Sequence, residues 1–88
     1  MITNTLYPPV AEDAEADLRR VGQAIRRARQ DARCTQLYVA QRSGVTPTVL
    51  SAYENGRKLP NLRTLALIAA SLDMTMAELL QNNTAGRD

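Results

Sequence analysis

The amino-acid sequence predicts an all-α domain of five helices, and three observations carry that expectation. Apolar positions recur at steps of three and four, helix-capping residues stand in front of the apolar runs, and no stretch alternates apolar and polar as a half-buried strand would. The chain of 88 residues fits one small domain, since domains commonly run to about 100–150 residues. Its apolar share of 44% suits a globular protein, but Tyr7, Tyr38 and Tyr53 are the only aromatic residues. The core is therefore expected to be aliphatic. A chain this short buries only about 60% of its unfolded surface, which favours association with a second copy.

The first helix follows from the series Ala11, Ala14, Leu18, Val21, Ile25, Ala28 and Ala32, one face of a long helix. Pro9 suits its opening, because a missing N–H costs nothing in the first turn. Glu12, Asp13 and Glu15 stand near the positive end of its dipole. Ala11 and Ala14 bury little, so residues 1–16 fit either an extension of that helix or a mobile acidic arm. Thr35 caps a short helix holding Val39 and Ala40, which stops at Gly44, the residue type best able to take positive φ.

A second short helix follows at once. Thr46 caps it, Pro47 occupies its first position, Leu50 and Tyr53 face inward, and Asn55-Gly56 ends it. Arg57 to Pro60 reads as a basic loop. Asn61 caps the next helix, with Leu62, Leu65, Ile68, Ala69 and Leu72 expected on its buried stripe. The last helix opens with a capping box, Thr75 with Glu78, and Met74 and Leu79 are spaced as a hydrophobic staple around it. The chain from Gln81 onward is polar and expected to fray. The expected organisation is an acidic arm or helix extension over 1–16, the domain over 17–81 and a flexible tail over 82–88.

Composition excludes several classes of function. Histidine is absent and Cys34 is the single cysteine, which removes internal disulfides and most catalytic dyads, triads and zinc sites. Ser43 and Ser51 lack a histidine or suitable lysine to activate them. The expectation is a protein that is not an enzyme and uses no cofactor and no metal, with Cys34 a small apolar filler. No apolar run approaches the roughly 20 residues of a spanning helix, and Met1 to Pro9 lacks the basic and apolar regions of a signal peptide. A cytoplasmic, membrane-free location is expected.

The net charge of +2 conceals a division along the chain. Residues 1–17 hold four acids and no base, whereas residues 18–58 hold nine bases against Asp31 and Glu54, a net +7. A concentrated basic middle suits a polyanion such as nucleic acid, although a solvated arginine face on a helix would read the same way. Residues Gln36 to Asn55 separate the two. Two short helices joined by a turn containing glycine form a helix-turn-helix, with Ala40 small enough for a close crossing and Val39, Val45, Leu50 and Tyr53 tying both helices to the core.

In these residues the chain resembles the Cro and lambda-repressor-like (XRE-type) helix-turn-helix proteins. The likeness covers roughly Leu18 to Leu80, in the segments VGQAIRRAR, TQLYVAQRSGVTPTVLSAYENGRKLPNL and LIAASLDMTMAELL. It implies a five-helix domain whose third helix enters the DNA major groove. It further implies that Pro47, Thr48, Ser51 and Ala52 face base edges, and that Gln36, Thr46, Asn55, Arg57 and Lys58 meet the DNA backbone, with Arg42 a further backbone candidate. Arg29 and Glu54 match positions that form a shielded salt bridge. Ser43 stands where the family usually has an apolar residue and Ala28 where it has a larger one.

The function so implied is a bacterial or phage-encoded transcriptional regulator, a repressor, that binds a pseudo-palindromic operator as a homodimer joined around Met74 to Leu80. A protein-interaction module or antitoxin of the same fold, binding a partner protein, is the alternative. None of the four base-facing residues is arginine, asparagine or glutamine, so bidentate base contacts are absent from that face and a softer readout is expected.

Overall fold

The computed structural model describes the backbone of residues 10–85 and the side chains of residues 13–81; the expected opening at Pro9 lies outside them. Five helices make up this part: α1 (Val10–Asp31), α2 (Gln36–Ser43), α3 (Pro47–Glu54), α4 (Leu62–Ser71) and α5 (Met76–Ala85). Helix α1 packs against α3 and α5, α2 against α3 and α4, and α4 against α5. The described residues contain no strand.

Four helix starts are closed by side chains that take up backbone N–H groups the helix itself leaves unpaired. Thr35 Oγ1 accepts from Tyr38 N at 3.0 Å, Thr46 Oγ1 from Val49 N at 3.1 Å, and Asn61 Oδ1 from Thr64 N at 2.8 Å. At α5 the capping box closes in both directions: Glu78 N–H donates to Thr75 Oγ1 at 3.0 Å and Thr75 N–H to Glu78 Oε1 at 2.9 Å. Each cap replaced by alanine would cost about 1 kcal/mol.

The helix ends divide into two kinds. Gly44 (φ 73°) and Gly56 (φ 72°) close α2 and α3 in the left-handed region, whereas Arg33 (φ 58°) and Asp73 (φ 59°) do so after α1 and α4. At these last two ends Cys34 N–H reaches back to Arg29 O at 3.0 Å and Met74 N–H to Ala69 O at 2.9 Å. A left-handed residue with a Cβ costs about 1–2 kcal/mol, a penalty that Asp73 escapes in part because aspartate visits this region more readily than other residues, so the turn at Arg33 is the one held against its local preference. No glycine marks either end in the sequence.

The core is aliphatic: Ile25, Val39, Leu50, Ile68 and Leu79 are its largest fully buried side chains, and Tyr53 is its one aromatic member. Two expectations are corrected. Leu62 is 74% exposed, because a side chain in the first turn points back past the helix start, where the loop before α4 does not cover it. On α1, Ala32 is exposed, and Gly22 and Ala24, outside the expected series, are buried with Ile25 and Ala28, while Ala14 buries little as expected. That helix is 22 residues long, about 33 Å, and its two ends extend beyond the shorter helices it packs on. The backbone of α5 runs to Ala85, and the rest of the stretch expected to be a flexible tail lies outside the described residues. Ser43 fills its core position with a hydroxyl that is buried and has no hydrogen-bond partner.

Two contacts seat α3 on α1. The first is Gly22: a Cβ there would stand 2.3 Å from the Tyr53 carbonyl oxygen and 2.9 Å from that of Glu54, so only glycine allows the two backbones to meet. The second is an ion pair sealed between the helices. Arg29 Nε donates to Glu54 Oε2 at 2.6 Å and Nη2 to Oε1 at 3.1 Å, while Nη1 donates to the Cys34 carbonyl at 2.9 Å. Gln36 Nε2 adds a further bond to Glu54 Oε1 at 3.0 Å. The Glu54 side chain is 2% exposed and that of Arg29 13%. The bond to Glu54 raises the Arg29 pKa further, against a smaller lowering by burial. A raised value means that this contribution is lost only above the ordinary arginine range, so it adds no pH dependence near neutrality.

Replacing Gly22 by alanine sets a helix-propensity gain of about 1 kcal/mol against overpacking of about 3 kcal/mol, because the obstacle is backbone that cannot rotate away. The net expectation is a loss of roughly 2 kcal/mol in urea unfolding; a stabilised Gly22→Ala protein would contradict the close approach. Glu54→Ala should cost about 3 kcal/mol, the lower end for a broken buried pair because Arg29 keeps some water contact. An unchanged unfolding midpoint would show that the pair contributes nothing to the seating of α3.

Candidate nucleic-acid interface

With its inner side committed to the core through Leu50, Tyr53 and Glu54, α3 has only one face left for a ligand. That face carries the four residues expected to meet base edges. Pro47 and Thr48 are exposed and Ser51 and Ala52 half-buried, and with Gln36 and Arg57 they line one shallow cleft of about 360 Å³. The helix is presented this way by local chemistry. Gly44 turns the chain after α2, Val45 anchors the turn against the core, and Thr46 with Pro47 starts α3 immediately.

The polar groups on this face are already partly organised. Asn55 Nδ2 donates to Ser51 O at 2.8 Å and to Ser51 Oγ at 3.2 Å. The Ser51 hydroxyl therefore accepts from within the protein and keeps its own proton free to donate outward. Thr48 and Ser51 can each offer a single hydrogen bond, and Pro47 and Ala52 can pack on apolar groups such as a thymine methyl.

The positions expected to meet the DNA backbone are dispersed. Arg57 borders the cleft, and Lys58 is exposed beside it. Thr46 uses its hydroxyl to cap α3. Arg42 lies outside the cleft lining, with its guanidinium carbon 4.6 Å from the centre of the Tyr38 ring, a cation–π contact along α2. Gln36 does line the cleft, yet its amide nitrogen is bonded to Glu54. At the same helix start the Tyr38 N–H is taken by Thr35, which leaves the backbone N–H groups of Gln36 and Leu37 without an acceptor within the helix and suited to an anion.

Sequence reasoning missed two features that shape this site. Gly22 was one glycine among four, and its role needs the position of α3. The Gln36–Glu54 bond links the start of α2 to the end of α3 across 18 positions, with no local signal. Among the described residues no three histidine, cysteine, aspartate or glutamate side chains gather as a metal site, and no helix is long and apolar enough to cross a membrane.

Comparison with known proteins agrees with this geometry. A family model described as Helix-turn-helix matches residues 25–79. The restriction-modification controller protein C.AhdI from Aeromonas hydrophila is 30% identical and superimposes with a TM-score of 0.69, covering 73% of this chain and 97% of its own. The clp gene regulator ClgR from Corynebacterium glutamicum is also 30% identical, with a TM-score of 0.73 over 78% of this chain and 73% of its own. Multiprotein-bridging factor 1 of Candida albicans is 38% identical over 56 residues, which are 64% of this chain but only 37% of that relative's length. By the matched residues, the folded architecture and the outward face of α3, this chain belongs to the XRE-type helix-turn-helix family of DNA-binding regulators.

Proposed function

We propose that the protein is a transcriptional repressor that binds a pseudo-palindromic DNA operator as a homodimer, with α3 in the major groove of each half-site. The observation that carries this reading is the outer face of α3, where Thr48 and Ser51 stand in a cleft flanked by Arg57 and the start of α2. Two-fold symmetry of the operator follows from a dimer, and half-site centres about one helical turn apart follow from two recognition helices on one side of the duplex. Exposed leucines supply apolar surface for the second copy, Leu67 on α4 and Leu80 on α5, and Met74 and Met76 are only partly buried. Similarity to a controller protein and to a gene regulator supports the regulatory role.

A second reading is binding to a partner protein. It draws on the similarity to a multiprotein-bridging factor and on Leu37, Leu59 and Leu62, large apolar side chains exposed away from the core. Salt dependence separates the two, because phosphate contacts lose affinity steeply as salt is added, whereas an apolar protein contact does not.

Selection from randomised duplexes followed by gel-shift titration tests the operator reading. A two-fold symmetric sequence should emerge, and equal weak affinity for every duplex would refute it. Within the same experiment Thr48→Ala and Ser51→Ala should relax preference at particular base pairs. Arg57→Ala should instead lower affinity for all sequences and reduce the salt slope by about one unit or less. If the Thr48 and Ser51 variants select the same sequence as the parent, the recognition face lies elsewhere.

A further inference from the structure

Apart from Arg29, which seats α3 through Glu54, the arginines of α1 lie off the outer face of α3, and two of them share one stripe of the helix. Arg19, Gln23 and Arg26 recur at four- and three-residue steps on one exposed stripe of α1. With Glu54 and Asn55 they line a cleft of about 220 Å³ against the end of α3. A second hollow, lined by Gln23, Arg26, Arg27 and Gln30, continues the stripe toward the end of α1. Neither Arg19 nor Arg26 has a salt-bridge partner among the described residues, whereas Arg20 pairs with Asp17 at 3.1 Å.

Two details make this cleft suited to an anion despite the carboxylate on its wall. Both oxygens of Glu54 are already occupied, by Arg29 and by Gln36, so the charge there is neutralised from within. The Arg19 stem is also positioned: its Cγ and Cα lie 3.1 and 3.2 Å from where a Gly56 Cβ would be, so the turn after α3 rests directly on it. The cleft is below the roughly 300–1,000 Å³ of small-molecule sites, and its donors are amides and guanidiniums. A polyanion passing along the surface fits better than an enclosed metabolite.

Asn55 connects this cleft to the recognition face, since it borders the cleft and is bonded to Ser51 one turn earlier on α3. We infer that Arg19, Gln23 and Arg26 form a second phosphate-binding track, which holds the DNA backbone flanking the segment read by α3. This rests on the operator reading for its ligand. Arg19 and Arg26 are about 10.5 Å apart along the helix axis at about 1.5 Å per residue, enough to engage separate phosphates of one strand. Glu15, one turn before Arg19 on the same stripe, bounds the track at that end.

The test compares the parent protein with an Arg19→Gln/Arg26→Gln double variant, an Arg26→Gln single variant and Arg20→Gln as a charge control. Affinity is titrated against salt on both the selected operator and a scrambled duplex. Glutamine keeps the Cγ that packs at Gly56, and a thermal midpoint establishes that each variant is folded; Arg26→Gln avoids that contact altogether. Loss of two phosphate contacts should reduce the slope of log K against log salt by about 1.8 units and weaken binding about 30-fold at 0.15 M salt relative to 1 M. Arg26→Gln alone should reduce the slope by about half as much. The preferred sequence should not change, and Arg20→Gln should leave the slope almost unaltered. An unchanged slope in the double variant, or an equal loss per charge in Arg20→Gln, would overturn the track. If the parent protein shows no sequence preference, the operator reading fails while the slope on the scrambled duplex still decides the track.

Discussion

The placement of α3 depends on one buried guanidinium–carboxylate pair. Removing two charges from water is costly, and an ion pair of this kind is often no more stabilising than apolar residues of the same size. Its value lies in geometry. Two nitrogens of Arg29 meet two oxygens of Glu54, and a third nitrogen binds the carbonyl of Cys34 at the turn that leads into α2. The planar fork therefore fixes α1, the approach to α2 and the end of α3 at once, where an apolar contact would allow each to slide. Gln36 completes the set by tying the first turn of α2 to the same carboxylate.

That arrangement explains how so small an aliphatic core can present a defined surface. Helices α2 and α3 have only eight residues each, too short to be stable alone, since isolated helices under about 12–15 residues are marginal in water. Their order comes from caps at the start, left-handed turns at the end, and burial of one face against α1 and α4. Because the inner face is committed to Leu50, Tyr53 and Glu54, the outer face is free to vary without cost to the fold. Under the proposed function the small residues found there would let α3 approach a groove closely.

Charge and shape are divided between different elements. On the outer face of α3 the hydroxyl side chains, Thr48 and Ser51, are neutral, and cations stand to either side, Arg57 after α3 and Arg19 with Arg26 of α1 beyond its end. Under the proposed function such a division would separate affinity, which phosphates supply, from specificity, which base edges and DNA shape supply.

The sequence by itself determined the elements that rest on local chemistry. Caps at Thr35, Thr46, Asn61 and Thr75 and the glycine turn at Gly44 act through neighbours within a few positions, so the residue types alone announce them. The ends of α1 and α4 were not legible in the same way, because Arg33 and Asp73 take a left-handed conformation where no glycine marks the turn. Nor was the exposure of Leu62, since periodicity assigns a side of the helix but not whether another element covers it. The Arg29–Glu54 pairing was legible only through likeness to a family. Only the tertiary structure decided the Gly22 contact, the Gln36–Glu54 bond and the cleft between α1 and α3. Each depends on the distance between segments remote in the chain, and that distance is set by how the helices pack rather than by any local preference.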